Sequence, residues 1–82
     1  MAFYDRYMPI EVHYKVCPSS PGDEIEFELP YEPNAVIAQV RDNSGNIQFD
    51  NLQATIDGET VTVKETDAGF SENDVVTIIA FK

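Results

Sequence analysis

The sequence has little with which to perform chemistry or to staple itself together. Its single cysteine, Cys17, excludes a disulfide within the chain. Its lone histidine, His13, is too few for a structural zinc site, which takes four Cys or His ligands at defined spacings. Tryptophan is absent. Basic residues are scarce: Arg6, Lys15, Arg41, Lys64 and Lys82 stand against fifteen acidic residues, for a net charge of −10. The five are scattered, so nucleic acid and anionic membrane surfaces, both of which are gripped by clustered Lys and Arg, are excluded as partners. No apolar run approaches the ~20 residues of a membrane helix. Residues 1–7 have neither the basic start nor the apolar stretch of a secretory signal, so synthesis and folding in a reducing cytoplasm is the expectation.

These absences constrain how so short a chain becomes stable. Eighty-two residues make one domain with a modest core. With disulfide and metal excluded, the remaining supports are a well-made small core and assembly with other chains. Catalysis lacks its groups as well. His13 and Cys17 fall on one side of a strand but roughly 13 Å apart along it, too far for a thiolate–imidazole pair. Ser19, Ser20 and Ser71 have no nucleophile-elbow context and only one histidine to serve as base. The reading is no enzyme, no cofactor and no metal site.

What the sequence does contain is a succession of strand patterns separated by turn residues. Over 9–17, Ile10, Val12, Tyr14 and Val16 alternate with Glu11, His13, Lys15 and Cys17, until Pro18-Ser19-Ser20-Pro21-Gly22 stops the ladder. Over 24–29, Ile25, Phe27 and Leu29 oppose Glu24, Glu26 and Glu28. Those three glutamates stand roughly 6–7 Å apart, too far for one ion, and read as a solvated face. A third strand spans 35–41. Asp42-Asn43-Ser44-Gly45-Asn46 predicts a type I turn with Gly45 left-handed, leading to a short strand at 47–49 whose register stays open. Asp42, Ser44, Asn46 and Asp50 outline a calcium loop but lack its sixth-position glycine and twelfth-position glutamate, so a hairpin turn is the better account.

Asp57-Gly58 predicts a type I′ hairpin in which Thr55 pairs with Thr60, Ala54 with Val61 and Leu52 with Val63. Leu52, Ala54, Ile56, Val61 and Val63 then share one face. A loop over 65–74 precedes a final strand at 75–81. The fold class is therefore all-β: a small antiparallel β-sandwich or Greek-key barrel of six to seven short strands, with residues 1–8 as an amino-terminal arm and 9–82 as a single domain.

Two features point to contact with other proteins. The final strand is apolar on both faces, with Val75, Thr77, Ile79 and Phe81 on one and Val76, Ile78 and Ala80 on the other. Antiparallel strands usually keep one wet face, so the second must be covered by the chain's own arm or loop, or by another subunit. The arm concentrates Phe3, Tyr4, Tyr7 and Met8, residue types favoured at interface cores, and can either reach a neighbour or fold back. Phe3, Tyr4, Tyr7, Met8, Val76 and Ile78 are the candidate partner-binding residues.

The stretches Val36-Ile37-Ala38-Gln39-Val40-Arg41-Asp42-Asn43-Ser44-Gly45-Asn46, Ala54-Thr55-Ile56-Asp57-Gly58-Glu59-Thr60-Val61-Thr62-Val63 and Asn73-Asp74-Val75-Val76-Thr77-Ile78-Ile79-Ala80-Phe81 together resemble small structural proteins of tailed bacteriophage virions, capsid cement (decoration) proteins in particular. The resemblance spans residues 35–81 and is one of style, so it transfers no functional residue. It implies a non-enzymatic protein made in the host cytoplasm that braces capsid subunits on the outer surface of the virion. Its implied partners are the major capsid protein or another virion protein, and its implied state a homo-oligomer, such as a trimer. A tail or head–tail location is a close variant. The rival from another class is a carbohydrate- or ligand-binding β-sandwich stacking its ligand on Tyr14, Tyr31 or Phe70.

Overall fold

The computed structural model describes residues 10–82; the proposed arm residues Phe3, Tyr4, Tyr7 and Met8 lie outside the described residues. Seven strands follow one another along the chain: β1 (Ile10–Val16), β2 (Glu24–Glu28), β3 (Ala35–Arg41), β4 (Ile47–Gln48), β5 (Leu52–Asp57), β6 (Thr60–Glu65) and β7 (Val75–Phe81). They form two antiparallel sheets, one ordered β1-β7-β3-β4 and the other β2-β6-β5, packed as a small β-sandwich.

The core lies between the sheets and is built from alternate residues of each strand. Ile25 and Phe27 of β2 and Val61 and Val63 of β6 face Val40 of β3 and Val76, Ile78 and Ala80 of β7. Cys17, Leu29 and Phe70 close its ends, and Tyr31, Val36, Ala38, Leu52 and Ile56 pack around it half-buried. Val61, Val63, Val76, Ile78 and Ala80 are wholly inaccessible to water. Each removes a branched or methyl side chain from solvent, a gain of order 1.5–3 kcal/mol for the larger ones.

Both hairpins follow from their turn chemistry. In β3–β4, Gly45 N donates to Asp42 O (3.1 Å) and Gly45 adopts φ +86°. Asn43 and Ser44 keep negative φ, so this is a type I turn followed by a left-handed glycine. The Asp42 carboxylate fixes it by accepting from the backbone N–H of Ser44 and of Asn46, both at 2.9 Å. These bonds hold its pKa below the usual carboxylate range, Asn46 contributing most. The register so set is Arg41 with Ile47 and Val40 with Gln48.

The β5–β6 hairpin differs from the sequence expectation by one turn position. Asp57 pairs with Thr60, Thr55 with Thr62, Ala54 with Val63 and Leu52 with Glu65. The two loop residues are thus Gly58 and Glu59, and of these only Gly58 has positive φ, +63°. That is the type II′ pattern, which needs glycine at its first central position alone. The displacement changes each pairing by two residues, so Leu52, Ala54, Ile56, Val61 and Val63 keep a common face.

A second polar fixture joins the two sheets. Glu65, in the position expected for a loop, instead ends β6 as a buried residue opposite Leu52. Its Oε1 accepts from the backbone N–H of Asp67 (2.7 Å), Ala68 (2.9 Å) and Gly69 (3.2 Å), while Oε2 accepts from Gln48 Nε2 of β4 (2.7 Å). Hydrogen bonding to the ionised form, led by the Asp67 N–H, holds this carboxyl below its ordinary value. The turn it caps is tied to the adjacent segment that leads into β2 by Phe70 N donating to Gly22 O and Glu65 N donating to Asp23 O.

Candidate functional site

The register of the four-stranded sheet decides which side chains look outward. Residues directly paired across strands share a face, and since Val76, Ile78 and Ala80 point into the core, Val75, Thr77, Ile79 and Phe81 point away. Four ranks cross the outer face. They are Ile10–Phe81–Ala35, Val12–Ile79–Ile37, Tyr14–Thr77–Gln39 and Val16–Val75–Arg41–Ile47. Most of these positions are aliphatic or aromatic. Val12 is 62% exposed, Tyr14 68% and Ile37 51%, large values for residues of this kind in one contiguous field. Monomeric soluble proteins rarely leave such a field open, and where they do it marks a contact site.

Val76 and Ile78 therefore cannot be partner-binding residues as expected: both are fully buried between the sheets. The expectation that β7 has a spare apolar face stands, but the spare face is the one carrying Val75, Ile79 and Phe81. The sequence contained a signal for this in β1. Its apolar set, Ile10, Val12, Tyr14 and Val16, is aligned by register with the outward set of β7. Its polar set, Glu11, His13 and Lys15, pairs with Ala80, Ile78 and Val76 and so lies on the inward side.

An edge strand with its polar side turned inward is physically sensible only where the sandwich is open, and β1 occupies such a place. Glu11 Oε2 accepts from Lys82 Nζ at 2.8 Å, and His13 Nε2 lies 3.2 Å from Glu11 Oε1 and 3.3 Å from Tyr31 Oη. Lys82 lies over the Tyr31 ring at 5.0 Å. Lys15 Nζ donates to Glu26 O and stands 5.6 Å from the centre of the Phe27 ring. Lys82 draws the Glu11 carboxyl below its ordinary value, and burial pushes the Tyr31 hydroxyl up. Together these groups close the seam between β1 and β2 and leave only the outer side of β1 for contact. Inward charges at an edge also discourage further strand pairing there.

The outer face of the three-stranded sheet is of the opposite kind. Its ranks are Glu24–Lys64–Gln53, Glu26–Thr62–Thr55 and Glu28–Thr60–Asp57, with Thr60 Oγ1 donating to the Glu28 carboxylate at 3.1 Å. This is an ordinary solvated sheet surface.

Among the described residues, no group of three or more His, Cys, Asp or Glu side chains could hold a metal ion. A broad cleft of ≈ 730 Å³ between the loops at 20–23 and 64–70 opens to solvent, and the Glu65 carboxylate on its wall is committed to the loop it caps. The three aromatics of a stacking platform are dispersed. Tyr14 is exposed on the outer face, Tyr31 is half-buried at the seam, and Phe70 is buried in the core. No helix among the described residues is long and apolar enough to cross a membrane. No protein-family model, curated protein or solved structure matches the chain significantly.

Proposed function

We propose that this chain is a non-enzymatic structural protein that works by seating its apolar sheet face against another protein surface, as a capsid cement protein does on a tailed-phage particle. One observation carries the docking part of the reading: an edge strand that turns its charges inward and its aliphatic side chains outward, in register with a central strand apolar on both sides. The resemblance of residues 35–81 to phage decoration proteins supplies the place of action, the outer capsid surface, with the major capsid protein as partner. The dispersal of Tyr14, Tyr31 and Phe70 weighs against the carbohydrate-binding alternative, which needs two or three aromatics on one rigid face.

The test is association with particles. Phage particles purified from the source of this sequence should contain the chain in fixed ratio to the major capsid protein. Shells prepared without it should take it up on addition. Particles that contain none and bind none overturn the virion assignment, and labelling confined to the tail moves the protein there.

A further inference from the structure

We infer that β1 is a self-pairing edge: two copies of this chain join antiparallel through it about a two-fold axis, turning two four-stranded sheets into one. The joint lies along the strand edge, so it leaves the apolar docking face free and enlarges it. It holds whether or not the partner on that face is a capsid.

Cys17 N donates to Asp74 O, and these two residues continue the register in which Val16 pairs with Val75. Bonding alternates along an antiparallel pair, so Lys15, His13 and Glu11 also turn their N–H and C=O groups towards β7. Those of Ile10, Val12, Tyr14 and Val16 point away from β7, in the plane of the sheet. Among the described residues nothing is hydrogen-bonded to them. The side chains that close the seam with β2 lie on the inner side of β1 and leave this backbone row open.

Charge selects both the partner and the register. Inward charges deter an incoming strand of arbitrary sequence, but those of β1 change sign about His13. With the axis through His13, Glu11 stands opposite Lys15 of the second copy, and Lys15 opposite its Glu11. These are non-hydrogen-bonded pairs, the closer kind, in which opposite charges attract and like charges repel. Both groups have capacity to spare: the Glu11 carboxylate accepts from Lys82, and Lys15 spends one of its three donors on Glu26 O.

The same register sets Ile10 opposite Val16 and Val12 opposite Tyr14, and it satisfies every open backbone group. It alone overlaps the whole of Ile10–Val16. A slide of two residues either way sets Glu11 or Lys15 against His13 and leaves the strand ends unpaired. Growth stops at two copies, because the far edge of the sheet, β4, is only two residues long. In the joined sheet, Ile10, Val12, Tyr14 and Val16 of both copies stand at the centre of a single apolar face.

Each chain carries a net charge of −10, so association is measured at about 0.15 M salt, where repulsion is screened. Light scattering behind a sizing column, on the full-length chain in a series reaching about 1 mM, should show the mass rise from one chain to two and stop. Glu11→Lys and Lys15→Glu should each raise the dissociation constant at least about tenfold, with the circular dichroism spectrum unchanged. Mixed in equal amounts, the two variants should associate with each other as tightly as the wild type does with itself, since each then meets opposite charges again. Hydrogen exchange on the wild-type protein decides the matter where a variant fails to fold. The amides of Val12 and Tyr14 should exchange freely in dilute solution and slow as the dimer forms. A monomer at every concentration overturns the inference, as does a dimer whose Val12 and Tyr14 amides stay unprotected. So do folded variants that dimerise like the wild type or gain nothing from mixing. Particle binding of the same samples is a separate readout, and its failure removes the virion assignment while leaving the joint.

Discussion

Turned outward, the three-stranded sheet shows water glutamates, threonines and a lysine, while the four-stranded sheet shows it valines, isoleucines and a tyrosine. Turned inward, both contribute the same kind of aliphatic surface. Internal packing explains two of the sandwich's four sheet faces and solvation a third. Selection for solubility would have made the fourth resemble the third, so the apolar composition of the β1-β7-β3 field is the mark of an occupant. The alternation in β1 widens the contrast between the two outer faces, because it adds Ile10, Val12, Tyr14 and Val16 to the outward apolar residues of β7 and β3.

Several substitutions break or sharpen that contrast, and the largest effect belongs to neighbours on opposite sides of β7 and β3. Ile78→Ala opens a cavity in a fully buried site and should cost about 2–5 kcal/mol in denaturant unfolding. Ile37→Ala, on the outer face, should cost less than about 1 kcal/mol for the monomer. Equal losses at the two would mean that the outer field is packed within the molecule.

Next comes the carboxylate that ties the sheets together. Glu65→Ala strands the N–H groups of Asp67, Ala68 and Gly69 and should cost about 1–3 kcal/mol. Because the native pKa of Glu65 lies below its ordinary value of 4.5, its contribution is complete above that pH. It fades as pH falls through the lowered native value. Glu65→Gln should therefore flatten part of the acid limb of the stability curve below about pH 4.5, read from urea midpoints between neutral and acid pH.

A smaller effect is expected at the polar sheet's hairpin. Gly58 has φ +63° with nothing near its would-be Cβ, so Gly58→Ala suffers only backbone strain, about 1 kcal/mol. The smallest belongs to the glutamate row. Glu26→Gln removes the repulsion of Glu26 with Glu24 and with Glu28 and should stabilise by a few tenths of a kcal/mol, a gain that added salt erases. A salt-independent change there would mean that the row is not solvated.

The degree to which the sequence foretold this structure varies with the physics of each element. β2 was legible down to its faces, because Glu24, Glu26 and Glu28 can only be outside. β3 and β7 were legible as strands with their bounds, since β-branched runs between turn residues have few other outcomes. Which side of β7 enters the core was not, because period-two alternation identifies two faces and is silent on their destinations when both are apolar. Register against β1 settles it, and register is a long-range property. The Asp57-Gly58 signal located a hairpin but matched two turn types that differ by one residue. Glu65 was unreadable as a structural residue: a glutamate followed by threonine and aspartate looks like loop, and its role depends on three N–H groups converging after the chain bends.

Cys17 offers a last consequence. Its side chain is buried, its N–H donates to Asp74 O and its carbonyl accepts from Asn73 N–H. Desolvation, aided by the Asp74 charge, pushes the thiol's pKa up. A thiol both hidden and protonated reacts with alkylating agents only when the surrounding structure opens. The protein therefore carries its own clock for breathing: the rate at which Cys17 is labelled under native conditions measures how often this end of the sandwich comes apart. Such a thiol also withstands an oxidising exterior without cross-linking one molecule to the next.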